Sequence, residues 1–295
     1  MNNGKPKGII LLGPTASGKS RLAINMAQEF NGVIINADSM QVYRNFPILS
    51  ASPSSKDFED CPHQLYGIFD LEKNESCSVS TWVALAKDVI EKTLRQRKLP
   101  ILVGGTGFYI KGLLEGLSPI PPIPNTLRKA VSKALQNQPQ RDALYKHLQK
   151  ADPASKIHIG DTQRLTRALE VLIQTQKPLS FWNKQPQKPC IDMDFCIVTL
   201  MPQREKLYET INLRAEDMIK QGALDEVNRF HNKTMKVPII GYQDIQDYLE
   251  GKIPHDAMVE KIQQKTRNYA KRQVTWIRHQ IQSHLVIESQ KAPLF

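Results

Sequence analysis

The sequence predicts an α/β fold in which a parallel β-sheet is flanked by helices and carries an inserted, all-helical subdomain. Three observations lead to this prediction. Short apolar runs alternate with amphipathic helical patterns in the first third of the chain, a phosphate-binding motif follows the first apolar run, and two proline-rich segments bracket helical patterns near the middle. Alternation of strand and helix implies parallel strands joined by right-handed crossovers.

The first strand leads into the phosphate-binding motif, G-x-x-x-x-G-K-[ST]. A buried strand is predicted over Ile9–Leu12, and a helix with one apolar face over Ser20–Phe30. Between them, backbone N–H groups and the helix dipole create an anion site. Lys19 adds a positive charge, and Ser20 offers a hydroxyl to Mg²⁺. The motif therefore predicts a P-loop NTPase-like core that binds phosphate, without identifying the compound, through Gly13, Pro14, Thr15, Ala16, Ser17, Gly18, Lys19 and Ser20.

Three further strands complete the predicted sheet. They lie at Val33–Ile35, Pro100–Val103 and Phe195–Leu200, and helices are predicted over Trp82–Arg97 and Gln203–Gln221. In such sheets ligands collect at the carboxyl ends of the strands. We therefore expect one cleft to contain the phosphate loop together with the residues that follow the second and third strands, which include Asp38, Ser39 and Thr106.

An inserted subdomain is predicted from a change in composition. The segments 118–124 and 185–189 are rich in proline, which excludes a central strand or helix there. Helical patterns lie between them at Leu127–Leu135, Arg141–Gln149 and Thr162–Thr175. The predicted organisation is a core, residues 1–117 and 191–295, that includes the C-terminal helices, and an inserted helical subdomain, residues 118–190.

The charge balance favours a polyanionic partner. The chain has 40 Lys and Arg residues against 29 Asp and Glu, a net charge of +11. A long helix predicted over Asp256–Ser283 has a basic face that includes Arg267, Lys271 and Arg278. The alternative interpretation is a basic surface that only maintains solubility.

Composition also excludes several classes of protein. No run of 18 apolar residues is present, so no membrane span is expected. The N-terminal residues 1–7 lack the apolar region of a signal peptide, which favours a cytoplasmic protein. The four cysteines form no C-x-x-C pair, and we expect reduced thiols rather than a zinc site. A monomer is the default expectation.

Three polar residues are candidates for the chemistry. Asp38 can act as a general base, coordinate Mg²⁺ through water, or cap the turn that follows it. Thr106 is presented by a glycine-rich turn that either approaches an anion or only joins a strand to a helix. Arg214 can clamp a leaving diphosphate or be an ordinary surface arginine. The set suits phosphoryl transfer by a kinase, or transfer of a carbon substituent with pyrophosphate leaving.

The ordered motifs of the chain closely resemble those of the tRNA dimethylallyltransferase family. The segments that carry the resemblance span nearly the whole chain: 13–20, Asn36–Arg44, Gly104–Tyr109, Asp161–Glu170, Ile240–Tyr242 and Lys271–Arg278. A generic phosphate-loop kinase has no need of the last segment, Lys271–Arg278. One departure is Gln243, which stands after Gly241-Tyr242 where the family often has a basic residue.

The resemblance implies transfer of a dimethylallyl group from dimethylallyl diphosphate, with Mg²⁺, to N6 of adenosine 37 in the anticodon stem-loop of tRNA. It assigns Asp38 as the general base and places Thr106 and Arg214 on the pyrophosphate. It also implies that residues 1–117 and 191–295 form the catalytic core with C-terminal tRNA-binding helices, and that the inserted subdomain, residues 118–190, binds tRNA. The residues that it matches to tRNA contacts are Asp38, Ser39, Met40, Gln41, Thr106, Arg128, Gln163, Arg164, Leu165, Thr166, Arg167, Lys271, Arg272, Gln273, Val274, Thr275, Trp276, Ile277 and Arg278. The alternatives are an isopentenyltransferase that uses AMP, a small-molecule kinase, and a tRNA-binding module without catalysis.

Overall fold

Six parallel strands form the central sheet of the structure, a computed structural model that describes residues 7–231, 233 and 235–288. The strands are β1 (Lys7–Leu12), β2 (Gly32–Asn36), β3 (His63–Gln64), β4 (Leu99–Gly104), β5 (Asp194–Leu200) and β6 (Leu285–Ile287). Their order across the sheet is β3-β2-β4-β1-β5-β6, and each neighbouring pair is parallel. The carboxyl ends of β1, β2 and β4 therefore lie side by side.

Helices and loops connect the strands, and a short 3-10 helix lies at Leu71–Lys73. In order, the α-helices are α1 (Lys19–Glu29), α2 (Ser55–Asp60), α3 (Val79–Arg95), α4 (Gly107–Glu115), α5 (Asn125–Ala134), α6 (Gln138–Ala151), α7 (Thr162–Thr175), α8 (Leu179–Asn183), α9 (Arg204–Lys220), α10 (Ala223–Asn228), α11 (Tyr242–Leu249) and α12 (His255–Gln280). No described helix is both long enough and apolar enough to cross a membrane.

The two faces of the sheet pack against different helices because side chains alternate along each strand. In β1, Ile10 and Leu12 belong to the larger core, which also contains Trp82 of α3 and Ile277 of α12. Leu11 points to the opposite face and packs in a second core with residues of α1. Helices cover both faces, as parallel sheets require.

The predicted fold class is confirmed, and the differences from the sequence-based elements have local causes. Strands β3 and β6 were not predicted, because two or three residues are too few to show a strand periodicity. The helix predicted over Asp256–Ser283 ends at Gln280, because Ile281 adopts an extended conformation with φ −124° and ψ 128°. The predicted N-terminal segment before Lys7 lies outside the described residues.

The chain forms two units. The first consists of residues 1–114 and 189–295 and contains the sheet; the second consists of residues 115–188, which hold helices only. From the proline-rich segments, the boundaries of this second unit were predicted at residues 118 and 190.

The second unit has its own small core. Helices α5, α6 and α7 pack through buried apolar side chains that include Val131, Leu148 and Leu169. Asp152 is buried in this unit, and its carboxylate accepts hydrogen bonds from the N–H and hydroxyl of Ser180 at 3.3 and 2.7 Å. Pairing a buried carboxylate in this way joins the end of α6 to the start of α8.

Candidate active site

The phosphate loop is preorganised around its own lysine. The Lys19 ammonium donates to the Pro14 carbonyl oxygen at 2.6 Å and to Ser17 Oγ at 3.3 Å. Gly18 precedes α1 in a left-handed conformation, with φ 89°, which glycine adopts without steric cost. The N–H groups in the first turn of α1 therefore open onto the loop, as an anion site requires.

The pKa of Lys19 is lower than that of an ordinary lysine. Burial of the ammonium lowers the pKa of Lys19 to about 8; the negative charge of Asp38 opposes this effect, and the positive charge of Arg214 adds to it. Binding of an anion in the loop would raise the pKa again, because an opposite charge favours the protonated form. Lys19 is thus poised to respond to a phosphorylated ligand.

Asn36 fixes the backbone on which Asp38 stands. Its side chain is fully buried at the end of β2, where Oδ1 accepts from the N–H of Asp38 at 2.8 Å. Its Nδ2 donates to the carbonyl oxygens of Asp38 and Leu65 at 3.1 and 3.0 Å. In the sequence, Asn36 was noted only as part of a motif. An amide side chain at the end of an apolar strand is the signal that could have indicated this positioning role.

The Asp38 carboxylate lies in the turn after β2 and faces the cleft. Oδ1 accepts from the N–H of Met40 at 2.9 Å, so the turn-capping role considered for this residue is present. Asp38 also lines the same cleft as Lys19 and Arg214. A capped carboxylate is held in one orientation, which suits a positioned proton acceptor.

Thr106 is joined to the turn that contains Asp38. Its Oγ1 accepts from the N–H of Ser39 at 2.9 Å and donates to Ser39 Oγ at 3.2 Å, while its own N–H donates to the Ala37 carbonyl at 3.2 Å. Gly104 permits this approach, because a Cβ there would lie 2.1 Å from the Ala37 oxygen. The hydroxyl of Tyr269 in α12 lies near Thr106 and Ser39. Burial raises the pKa of Tyr269, and Asp38 adds to the effect, so the phenol stays neutral.

Arg214 reaches the phosphate loop from α9. Its guanidinium nitrogen donates to Thr15 Oγ1 at 3.1 Å. Burial lowers the pKa of Arg214 while Asp38 opposes the shift. Arg214 therefore lies in the cleft and is not an ordinary surface arginine, which was one of the two interpretations that the sequence left open.

Gln273 connects the C-terminal helix to the phosphate loop. Only 6% of this residue is exposed; its Oε1 accepts from the N–H of Thr15 at 2.8 Å, and its Nε2 donates to the Gly105 carbonyl at 3.0 Å. A Cβ on Gly105 would lie 2.0 Å from Gln273 Nε2, so a side chain there would displace this amide from its present position. Tyr269 and Gln273 are four residues apart and so share one face of α12, a spacing that signals a common role.

Two adjoining cavities surround these groups. The larger cleft has a volume of about 770 Å³ and is lined by the phosphate loop, Asp38, Arg214 and the loop that contains Pro47 to Ser54. The smaller pocket has a volume of about 50 Å³; Asp38, Thr15 and Arg214 also line it, and most of its other walls are apolar. A phosphate site is thus continuous with a small apolar site at Asp38.

The predicted RNA-contacting residues of the first unit differ in accessibility. On α12, the exposed side chains are those of Lys271, Arg272, Thr275 and Arg278, whereas Val274 and Trp276 are half-buried. The side chains of Gln273 and Ile277 are buried: Ile277 belongs to the apolar stripe of α12 that packs on the core, and Gln273 contacts the phosphate loop. A tRNA contact at these two residues stays a prediction. Ser39, Met40 and Gln41 are half-buried beside Asp38.

The predicted contacts of the second unit lie on α5 and α7. Arg128, Gln163 and Arg164 are exposed there, and Thr166 and Arg167 are half-buried. Leu165 is fully buried in the core of this unit, and a tRNA contact at this position stays a prediction. The accessible part of the stretch is therefore polar and basic.

Fold and site together define a phosphate-loop α/β protein in which a carboxylate and an arginine flank an anion site. Comparison with models of known protein families gives matches to transferases. A model described as IPP transferase matches residues 41–280, and a model described as isopentenyl transferase matches residues 7–66. The chain belongs to the IPP transferase family.

Curated relatives match over most of their length. The tRNA dimethylallyltransferase of Paramagnetospirillum magneticum is 39% identical and covers 98% of this chain, with 93% of the relative covered. That of a Chelativorans species is 40% identical, with 93% of this chain and 96% of the relative covered.

Solved structures are similar in fold. A eukaryotic dimethylallyltransferase acting on tRNA is 31% identical with a TM-score of 0.77 over 92% of this chain and 70% of that one. The tRNA isopentenylpyrophosphate transferase of Staphylococcus epidermidis is 32% identical with a TM-score of 0.69 over 98% and 95%.

Proposed function

We propose that this protein transfers the dimethylallyl group of dimethylallyl diphosphate to N6 of adenosine 37 in tRNAs that read codons beginning with U. The observation that carries the proposal is the meeting of the phosphate loop, Arg214 and Asp38 at one cleft with an adjoining apolar pocket. Membership of the IPP transferase family, with relatives named tRNA dimethylallyltransferase, supports transfer to tRNA.

The reaction forms one carbon–nitrogen bond and breaks one carbon–oxygen bond. The N6 amine of adenine attacks C1 of the donor, and pyrophosphate leaves with the electron pair of the carbon–oxygen bond. The N6 proton passes to the carboxylate of Asp38. Lys19, the backbone N–H groups of the loop and Arg214 stabilise the charge that develops on the leaving group.

Mg²⁺ is proposed to accompany the diphosphate. Ser20 lies in the cleft directly after Lys19, and its hydroxyl is the hard oxygen ligand that Mg²⁺ prefers. The described residues contain no group of three or more His, Cys, Asp and Glu able to hold a metal, so the remaining ligands would come from diphosphate and water. When bound, the ion supplies positive charge against the diphosphate.

The tRNA partner is supported by charge. The exposed basic residues Lys271, Arg272 and Arg278 lie on the helix whose buried Gln273 contacts the phosphate loop. A duplex-embedded base cannot reach such a cleft, whereas a base in a single-stranded loop can be turned out into it. We propose that the anticodon loop is bound in this way, by a monomer, in the cytoplasm.

A transfer assay with two acceptors tests the proposal. The protein is incubated with labelled dimethylallyl diphosphate, with and without Mg²⁺, in the presence of either tRNA that carries A37 or free AMP. Label in tRNA that depends on Mg²⁺ is the expected result. Label in AMP but not in tRNA would establish the alternative isopentenyltransferase, and label in neither would exclude prenyl transfer.

A further inference from the structure

Phe108 is an exposed aromatic side chain beside the candidate active site. It lies in the first turn of α4, two residues after Thr106, and 54% of it is exposed. Its neighbours Gly107, Tyr109 and Ile110 are all buried. A single exposed apolar side chain is ordinary on a protein surface, so the surroundings of Phe108 decide whether it has a role.

Helix α12 packs against the start of α4 at two points. The indole ring of Trp276 covers the backbone of Gly107, since a Cβ on this glycine would lie 2.0 Å from Trp276 Cζ3. One turn further along α4, the ammonium of Lys111 donates to Gln280 Oε1 at 2.7 Å. At 3.6 residues per turn, Phe108 stands about 100° from Gly107 around α4. Its ring therefore lies beside α12 and not beneath it, which leaves the ring open.

A positive charge lies close to the same segment. Arg272 is exposed and shares a face of α12 with Trp276, four residues later. Its guanidinium lies over the ring of Tyr269, 5.8 Å from the ring centroid, and the hydroxyl of Tyr269 lies near Thr106. Phe108 and Arg272 are thus both close to Thr106.

An exposed ring with a nearby guanidinium fits a base of single-stranded RNA. Unstacked bases in RNA loops are recognised by stacking on aromatic side chains, while cations hold the phosphates. When a base is turned out of a loop into a cleft, each neighbouring base loses a stacking partner. A ring beside the cleft can replace that partner, whereas a duplex offers no free base face to it.

We infer that Phe108 stacks on a base adjacent to A37 in the bound anticodon loop, on the face from which A37 has been withdrawn. The inference rests on the proposed function and deepens it, because it adds a residue that recognises the RNA to those that the family motifs match. Phe108 does not line the larger cleft or the small pocket, so the chemical step at Asp38 does not depend on it.

Binding of an anticodon stem-loop to four variants tests the contact. Phe108→Tyr and Phe108→Trp keep an aromatic ring, Phe108→Leu keeps only apolar surface, and Phe108→Ala keeps neither. We expect Phe108→Ala and Phe108→Leu to weaken binding about 5- to 100-fold, and the two aromatic variants to bind like the unaltered protein. At saturating stem-loop, the single-turnover rate of transfer should stay unchanged in all four.

The matched control is Phe30→Ala. Phe30 is also an exposed phenylalanine, with 43% of it exposed. It lies two residues before β2, at the amino edge of the sheet, whereas the site lies at the carboxyl edge. Its replacement should leave binding of the stem-loop unchanged.

A double-mutant cycle identifies the base. Stem-loops with an abasic site at position 36 or at position 38 are each titrated with the unaltered protein and with Phe108→Ala. If Phe108 stacks on the missing base, the two losses are not additive, because one contact can be removed only once. One of the two abasic positions should show this coupling, and the other should not.

Three binding results would overturn the inference. Phe108→Ala would bind the stem-loop as tightly as the unaltered protein, Phe108→Leu would bind it as tightly as the aromatic variants, or the losses would be additive at both abasic positions. A dimer that Phe108→Ala dissociates, measured by sedimentation without RNA, would instead assign the ring to a second copy of this chain. Failure of the proposed function gives a different result, since the unaltered protein would then bind the stem-loop through Phe108 without transferring a labelled dimethylallyl group to it.

Discussion

At the scale of single residues, the Asp38 carboxylate has three neighbours that hold it in position or interact with its charge. Asn36 holds the backbone of Asp38, Met40 binds one of its oxygens, and Lys19 lies near enough for their charges to interact. A general base must be held in a defined position so that it is aligned with N6 of the acceptor.

Asp38→Asn tests the base directly. The amide oxygen can still accept from the N–H of Met40, so the turn should persist, but the side chain can no longer take a proton. We expect transfer to fall by about 10²–10⁴-fold while tRNA binding is retained. Single-turnover kinetics and a tRNA binding titration measure the two effects, and near-normal transfer would rule out the role.

The pKa of Lys19 predicts a pH dependence of donor binding. The ammonium is protonated below its pKa of about 8 and loses its charge above it, so affinity for the diphosphate should weaken as the pH rises through about 8. In Lys19→Arg the guanidinium stays charged, so this decline should disappear even if affinity is lower. Equilibrium binding of dimethylallyl diphosphate from about pH 7 to pH 9 makes the comparison. A decline that persists in Lys19→Arg would refute the assignment.

At the scale of elements, α12 combines two functions on different faces. Its exposed face carries Lys271, Arg272 and Arg278, while its buried face presents Gln273 to the phosphate loop. The sequence predicted the helix and its basic face. It did not separate Gln273 from its neighbours, because the partners Thr15 and Gly105 are distant in sequence and a glutamine on a helix is ordinarily exposed.

Gln273→Leu should disturb the phosphate loop more than tRNA binding. The change leaves the N–H of Thr15 and the carbonyl of Gly105 without partners, at a cost of about 1–3 kcal/mol for each buried group. We expect a higher KM for the donor and a lower kcat, with tRNA affinity preserved. Gln264→Leu, at an exposed position of the same helix, is the control. Equal effects of the two changes on donor KM would contradict this role.

The other elements differ in how clearly the sequence predicts them, and the reasons are physical. Strands β1, β2, β4 and β5 are buried apolar runs, so composition alone indicates them. The short helices α10 and α11 were missed, because each has eight residues or fewer and their apolar patterns cover little more than one or two turns. α10 nevertheless carries Glu226, whose carboxylate accepts hydrogen bonds from the N–H groups of Ile48 and Leu49 in the loop that lines the larger cleft.

At the scale of the whole molecule, a net charge of +11 should govern association with tRNA. Each basic residue that neutralises a phosphate releases counterions, so affinity falls steeply as salt rises. Replacing Lys271 or Arg278 by Ala should lower the salt slope of log K by about one. Lys92→Ala, at an exposed position on α3, should leave the slope unchanged. A flat salt profile for the unaltered protein would identify the basic face of α12 as a solvated surface only.

Transfer to position 37 itself tests the central claim most directly. The unaltered protein and Asp38→Asn are incubated with Mg²⁺, labelled dimethylallyl diphosphate and two tRNA transcripts that differ only in A37 or G37, and the labelled nucleoside is identified after digestion. The account predicts N6-(dimethylallyl)adenosine from the A37 transcript with the unaltered protein, and almost no label in the other three combinations. Equal labelling of the G37 transcript, or full labelling of the A37 transcript by Asp38→Asn, would contradict it.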